Sequence, residues 1–256
     1  MRIVRYKHNE EAARFGWIFN KKVGLIEGSP FEEFRRAEAE IPMSEVQLLT
    51  PTVPSKIICV GRNYVAHAEE HDAEVPQIPL IFLKPPSALI GPHATIYLPP
   101  QSQQVEHEGE LAVVIGKRSR WLDPEDALEH VLGYTVANDV TARDLQERDG
   151  QWTRGKGFDT FCPLGPWIET DFDPMDALVT VHVNEELRQM ASTRDMVFTV
   201  RQLLAYVTSV MTLEPGDVLL TGTPAGVGPL LAGDSVEVVV EGLGSLTNPV
   251  EGEPPR

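Results

Sequence analysis

The stretch Val105-Glu106-His107-Glu108-Gly109-Glu110-Leu111-Ala112-Val113-Val114-Ile115-Gly116 changes character at its midpoint. The second half, Leu111 to Ile115, is a short β-branched run closed by Gly116, the pattern of a buried strand. The first half carries Glu106, Glu108 and Glu110, with His107 among them. Side chains at i and i+2 of a strand share a face, so these carboxylates line one side and lead into an apolar run. Desolvating like charges costs several kcal/mol each, roughly, unless something positive compensates. A hard divalent cation such as Mg²⁺, Mn²⁺ or Ca²⁺ takes oxygen ligands and supplies that compensation. The other reading is an edge strand with a solvated acidic face. This segment alone leaves both open.

Downstream, Asp123 to Gly133 has the marks of a helix: Asp123 as cap, Pro124 at the first position, acids in the first turn and Gly133 as terminator. His130 falls on its surface. Tyr134 to Asn138 reads as the next strand and delivers Asp139 at its end, a further carboxylate for a cation or a turn residue. Gln151 to Cys162 sets Arg154 and Lys156 among glycines, suited to presenting a cation to an anion or to a solvated turn. Leu178 to Val183 alternates like a strand and turns at Asn184-Glu185 into a partner. Val200 to Met211 has helical spacing behind the cap Thr199. Asp217 to Gly222 is a buried-strand pattern opening into Thr223-Pro224-Ala225-Gly226-Val227-Gly228. That loop lacks a phosphate-loop lysine but can offer Thr223 and backbone N–H groups to a carboxylate. Ser235–Glu241 and Gly244–Asn248 complete the strands.

Upstream, Lys56 to Gly61 is a strand pattern running into Arg62-Asn63-Tyr64-Val65-Ala66-His67-Ala68-Glu69-Glu70-His71. Asn63 can cap a short helix on which His67 and Glu70 lie at i and i+3. A carboxylate that orients an imidazole is what a general base needs; the alternative is a casual pair on a solvated helix end. Pro79 to Leu83 is a strand stopped by Pro85-Pro86, and Lys84 either reaches into a site or snorkels to solvent, the second being the expectation. Residues 1–51 hold short β-forming segments and one helix-like stretch, Phe31–Glu40. Pro51 and Pro54 mark the boundary of this unit.

The chain of 256 residues is 42% hydrophobic, enough for a sizeable core, and its net charge of −16 argues against nucleic-acid or anionic-membrane partners. Cys59 and Cys162 form no paired motif, as in a reduced, cytoplasmic protein. The first residues have no signal-peptide core and no apolar run approaches a membrane span. No internal repeat and no zinc-like Cys/His spacing stands out.

Taken together and in order, Gly61-Arg62-Asn63-Tyr64 with His67, His107-Glu108-Gly109-Glu110-Leu111, Asn138-Asp139-Val140-Thr141-Ala142-Arg143-Asp144, Lys156-Gly157-Phe158-Asp159-Thr160-Phe161-Cys162-Pro163 and Thr221-Gly222-Thr223-Pro224-Ala225-Gly226-Val227-Gly228 resemble the fumarylacetoacetate hydrolase family from about Lys56 onward. The resemblance implies an α+β, β-rich fold, a mixed β-sandwich roll over residues 52–256, with residues 1–51 as a small β-rich N-terminal domain. It implies a homodimer holding Mg²⁺ or Mn²⁺ on Glu108, Glu110 and Asp139, with Glu106 outside the ligand set as a neighbouring or solvated group. It places catalysis on His67, Glu70 and Lys156, and substrate contacts on Arg62, Tyr64, Lys156, Gln189 and Thr223. The substrates implied are 2-oxo acids or their enols, and the reaction is isomerisation, decarboxylation or C–C hydrolysis. The chain looks most like a 2-hydroxyhepta-2,4-diene-1,7-dioate isomerase / 5-oxopent-3-ene-1,2,5-tricarboxylate decarboxylase of aromatic catabolism. An acylpyruvate hydrolase or oxaloacetate decarboxylase is the alternative, and a non-catalytic oxo-acid- or metal-binding protein the third reading.

Overall fold

A computed structural model describes residues 1–254. The first residues form strands β1 (Arg2–His8), β2 (Arg14–Phe19), β3 (Lys22–Gly28), β4 (Phe34–Pro42) and β5 (Val46–Leu48). The stretch expected as a helix over Phe31–Glu40 is therefore largely strand. From Ala37 onward its half-buried residues alternate, Ala37, Ala39 and Ile41 against exposed Glu38 and Glu40. The antiparallel partner β3 and a bond from Trp17 Nε1 to the Ala37 carbonyl (2.9 Å) fix it there. Tertiary pairing overrides the helix formers Ala and Glu.

Then follow β6 (Ile57–Gly61), α1 (Val65–Glu70), β7 (Leu80–Lys84), β8 (Leu89–Ile90) and β9 (Ile96–Leu98). The opening stretch becomes β10 (Val105–His107) and β11 (Gly109–Ile115), followed by β12 (Val131–Asn138) and β13 (Thr141–Ala142). Two short helices, α2 (Arg143–Asp149) and α3 (Thr153–Lys156), lead to β14 (Cys162–Glu169). The hairpin β15 (Leu178–Val183) and β16 (Glu186–Ser192) precedes α4 (Val200–Val210). Strands β17 (Val218–Leu220), β18 (Gly228–Pro229), β19 (Ser235–Val240) and β20 (Gly244–Gly252) close the chain.

The large sheet runs β4-β3-β2-β1-β14-β12-β11-β17-β6-β7. A five-stranded sheet, β16-β15-β19-β20-β9, packs on one of its faces. Period-two burial makes this sandwich. Leu111, Val113 and Ile115 of β11 meet Val179, Val181 and Val183 of β15 and Val236, Val238 and Val240 of β19 in one core. Ala112 and Val114 point the other way, into separate buried clusters. Helix α4 seals one end, with Val200, Leu203, Leu204 and Val207 inward. Its start is the expected one: the Thr199 hydroxyl and Gln202 form a reciprocal capping box. The architecture is α+β and β-rich. Among the described residues no helix is long and apolar enough to cross a membrane.

The helix expected over Asp123–Gly133 is only a single 3-10 turn, Ala127–His130, with no side-chain cap. Strand β12 begins at Val131 because its β-branched run pairs along the whole of β11, from Ile115↔Val131 to Gly109↔Asn138. His130 is half-buried, its Nδ1 2.8 Å from the Ser119 hydroxyl. Gly133 terminates nothing. It lies inside β12, where an added Cβ would sit 2.4 Å from the Glu169 carbonyl oxygen. That neighbour is backbone and cannot step aside. Gly133→Ala is therefore expected to destabilise the protein by about 3 kcal/mol, read as a lower urea midpoint at unchanged slope.

Candidate active site

The chain changes sheets at Glu108. Strand β10 pairs with β13 and β18, whereas β11 pairs with β12 and β17. Glu106 and Glu110 therefore do not share one strand face. Glu106 is not solvated either: it is buried, and accepts bonds from Arg143 Nε (2.8 Å) and Gln104 Nε2 (2.6 Å). His107 turns to Gln189, with Nδ1 3.0 Å from Oε1. Between the acids, Gly109 lets β11 press against the second sheet, where a Cβ would meet Val181 Cγ2 at 2.3 Å. The end of β12 is stapled to the same break. Glu108 N–H donates to Asn138 Oδ1 (2.9 Å) and Asp139 N–H to the Glu108 carbonyl (2.8 Å).

These bonds bring Glu108, Glu110 and Asp139 together, all buried, with one oxygen of each within 4.8 Å of the others. Three cations are aimed at them. Lys156 Nζ donates to Glu108 Oε2 and to Asp139 Oδ2, both at 2.7 Å. Arg143 Nη2 donates to Glu108 Oε1 (2.5 Å). Lys84 Nζ donates to Asp139 Oδ1 (2.5 Å) and to the Val140 carbonyl (3.0 Å). Lys84 therefore does not snorkel; it is fully buried beneath the cluster.

The charges respond accordingly. Burial works against ionisation of Glu108, but Lys156 and Arg143 outweigh it and hold the carboxyl far below its usual range. Burial likewise opposes the charge on Lys156, yet Asp139 and Glu108 raise its pKa. Glu110 is the exception: burial, then the charges of Asp139 and Glu108, push its carboxyl well above the usual range. Its one hydrogen bond among the described residues comes from Gly222 N–H (2.6 Å), made possible by a positive φ of 97° at Gly222. A buried carboxyl short of positive charge, beside two more oxygen donors, fits a hard divalent cation.

A cavity of about 350 Å³ opens over this cluster, lined by Glu108, Lys156, Arg143, His67, Thr223 and Arg62 among others. Phe82 and Trp152 meet edge-on on its wall, ring centroids 5.1 Å apart. His67 is buried on α1, with Nδ1 3.3 Å from Glu70 Oε2. Glu70 also accepts the Gly226 N–H (3.0 Å), tying α1 to the loop after β17. Burial lowers the His67 pKa below its ordinary 6.5, against the opposing pull of Glu108. Asn63 does not cap α1. Its buried amide donates to the carbonyls of Thr221 (2.7 Å) and Phe198 (3.1 Å) and accepts from Phe198 N–H, so it ties together three segments.

The sequence-derived contacts divide. Thr223 lines the cavity, its hydroxyl donating to the Gly109 carbonyl (2.9 Å). Arg62 lines it at a φ of 57°, left-handed backbone held at a cost of about 1–3 kcal/mol. Gln189 lies behind the cavity. It donates to Thr223 Oγ1 (2.8 Å) and the Pro224 carbonyl and accepts from Gly109 N–H, so it positions Thr223 rather than facing a ligand. Tyr64 packs in the core with its hydroxyl buried and without a partner among the described residues, and does not line the cavity. Arg154, the other cation of the glycine-rich stretch, is exposed and pairs with Asp149. Sequence reasoning gave Arg143 no role and ranked a site role for Lys84 behind snorkelling. The signal for Arg143 was a lone cation in a motif that otherwise supplies acids; nothing local marked Lys84.

The family described as Fumarylacetoacetate (FAA) hydrolase C-terminal matches residues 56–251, most of the chain. The chain belongs to the fumarylacetoacetate hydrolase family. Residues 1–51 match a second family, Rv2993c-like, N-terminal. Protein Rv2993c of Mycobacterium tuberculosis is 50% identical over 212 residues, covering 82% of this chain and 80% of that one. A mitochondrial oxaloacetate tautomerase of Bos taurus is 48% identical over 223 residues, covering 82% and 71%. The crystal structure of 2-hydroxyhepta-2,4-diene-1,7-dioate isomerase from Mycobacterium marinum superposes with a TM-score of 0.92 at 42% identity over 100% of both chains. Membership makes the protein an enzyme of this family, and the carboxylate trio is its possible metal site.

Proposed function

We propose that the protein is a Mg²⁺- or Mn²⁺-dependent enzyme acting on a 2-oxo or enol dicarboxylic acid. Its leading assignment is 2-hydroxyhepta-2,4-diene-1,7-dioate isomerase with the associated decarboxylation. The observation that carries this reading is the cavity of about 350 Å³ lined by Glu108, Lys156, His67 and Arg62, with Glu110 and Asp139 grouped with Glu108 in one buried carboxylate trio. A divalent cation on those three carboxylates supplies Lewis-acid stabilisation of negative charge on the 2-oxo oxygen.

The remaining work falls to the side chains. Lys156, fixed between Glu108 and Asp139, adds a permanent positive charge at the cavity floor. His67 Nδ1 faces Glu70, which leaves Nε2 as the atom that takes and returns a substrate proton. Of the lining cations, Arg143 and Lys156 are paired with carboxylates; Arg62 has no carboxylate partner among the described residues and is free for a distal carboxylate. Phe82 and Trp152 give the conjugated middle of such a substrate an aromatic wall that sheds water. Oxaloacetate is the second substrate reading, favoured by the 48% identity to an oxaloacetate tautomerase.

Turnover of a panel (2-hydroxyhepta-2,4-dienedioate, oxaloacetate, acylpyruvates) with Mg²⁺ and after chelation tests the proposal. Highest kcat/KM for the seven-carbon diacid, lost on chelation, is the expected result. Best turnover of a monocarboxylic acylpyruvate, or activity untouched by chelation, would overturn it. His67→Ala is expected to cut kcat by about 10²–10⁴-fold while leaving oxalate binding nearly intact. In the unaltered enzyme kcat/KM should fall on acidification, with its inflection below pH 6.5, because the lowered pKa of His67 keeps Nε2 free of a proton until then. Equal losses of turnover and oxalate binding in His67→Ala would reduce His67 to a wall of the pocket.

A further inference from the structure

Helix α1 carries a second cluster of metal-binding groups that the reading above does not use. His67, Glu70 and His71 each place one ligand atom within 4.8 Å of the others. His67 lies on α1 and His71 is the residue that ends it, and their imidazoles come together with ring centroids 4.8 Å apart. His71 Nε2 is buried and has no hydrogen-bond partner among the described residues. The cluster is not the carboxylate trio: it offers two nitrogens and one oxygen where the trio offers oxygens alone. No Cys/His spacing of the usual zinc kind marks this cluster, because its third ligand, Glu70, is a carboxylate lying between the two histidines.

We propose that His67, Glu70 and His71 form a binding site for Zn²⁺ or a similar borderline cation, separate from the Mg²⁺/Mn²⁺ site. Two imidazoles and a carboxylate are a common zinc donor set, leaving a fourth position for water. Imidazole ligands favour Zn²⁺, Co²⁺ or Ni²⁺, while the all-oxygen trio favours Mg²⁺ or Mn²⁺, so the two sites sort cations by chemistry. Burial lowers the His67 pKa, and a neutral ring is ready to ligate at pH 7 without first losing a proton. Closing the cluster onto zinc means exchanging the His67–Glu70 hydrogen bond (3.3 Å) for two metal bonds, a small motion of side chains already in contact. Zinc there occupies His67 and so inhibits turnover; this last consequence rests on the proton-carrying role of His67 given above.

Protein saturated with Mg²⁺ is titrated with Zn²⁺ by calorimetry and with Co²⁺ by visible absorption. One further ion per chain is expected, with the intense absorption of four-coordinate cobalt. His71→Asn should weaken this binding at least about tenfold. Glu110→Gln, which disables the trio, should retain it. Failure of the Mg²⁺-saturated protein to take up zinc, or zinc binding lost in Glu110→Gln and kept in His71→Asn, would overturn the site. Should His71→Asn fail to fold, the imidazole ¹H–¹⁵N signals of the unaltered protein answer instead: both His67 and His71 shift with one equivalent of zinc, or the site falls. Zinc bound with turnover undiminished upholds the site and counts against His67 as the proton carrier.

Discussion

Glu110→Gln should abolish Mg²⁺ and Mn²⁺ binding at the carboxylate trio and lower turnover by about 10²–10³-fold, yet leave the metal-free protein as stable as the parent or more so. The asymmetry comes from the company each carboxylate keeps. Glu108 and Asp139 are each bound to buried cations, so removing either strands a buried positive charge. Glu108→Ala would therefore cost about 3–5 kcal/mol of stability and confound any reading of metal affinity. Among the described residues Glu110 touches no cation, and its one bond is from a backbone N–H, which an amide oxygen accepts equally well. Burial and the charges of Asp139 and Glu108 favour its protonated form, so a neutral amide of the same shape resembles the metal-free state.

The sign of the pH dependence follows. A carboxyl whose pKa is raised on folding stabilises the native state at pH below its unfolded pKa, near 4.5, and that contribution is lost as pH rises toward the folded pKa. The metal-free parent should lose stability as pH climbs above that value, and Glu110→Gln should not. Cation binding must displace this proton wherever the carboxyl is protonated, so it strengthens with pH and is accompanied by proton release. Calorimetry in buffers of different ionisation enthalpy counts that proton. Proton release that persists in Glu110→Gln would assign it elsewhere.

Lys84→Met should destabilise the metal-free protein by about 3–5 kcal/mol, with part of the loss recovered by saturating Mg²⁺. Around the cavity floor stand the carboxylates of Glu106, Glu108, Glu110 and Asp139 and the cations of Lys84, Lys156 and Arg143. Taking away Lys84 leaves the acids in larger excess, in a place water does not reach. Methionine keeps most of the side-chain volume, so packing alone predicts a small loss and no response to the cation. Urea unfolding with chelator and with Mg²⁺ separates the two. A loss of the same size under both conditions would mean that Lys84 supports the strand end and not the charge balance.

How much of this was readable beforehand depended on whether the deciding partner was near in sequence. Glu106, Glu108 and Glu110 stood out as acids leading into an apolar β-branched run and Asp139 as an acid at a strand end, but a solvated edge and a turn residue fitted those patterns equally; the family resemblance singled out Glu108, Glu110 and Asp139. Helical spacing brought His67 and Glu70 within reach of one another but left a casual surface pair as the other reading, whereas the start of α4 was legible from its cap. Lys84 was not, since a lysine at a strand end is ordinarily solvated; only Asp139, brought in from β12, gives it a reason to be buried. Arg143 and Glu106 explain one another, but they meet only after β10 leaves the sheet that β11 joins. The misread helices share a cause. Ala- and Glu-rich stretches near Phe31 and Asp123 have helical propensity, and long-range pairing with β3 and β11 decides against it. Gly133 was assigned to a helix end because its true neighbour, the Glu169 carbonyl, belongs to another strand.

The placement of β1 beside β14 has a consequence for how the molecule survives outside its native state. Strand β14 reaches β1 through Arg2↔Glu169 and Ile3↔Ile168, and Ile3, Ile26, Val114 and Ile168 share one buried cluster. The first strands thus occupy what would otherwise be a bare margin of the catalytic sheet, a row of unpaired N–H and C=O groups next to exposed aliphatic side chains. Such margins recruit strands from other molecules and start aggregates. Pro163 and Pro166, which cannot donate, protect only part of β14. Removing the leading residues from the enzyme would open a template for polymerisation some distance from the metal site, so loss of solubility would precede any loss of chemistry.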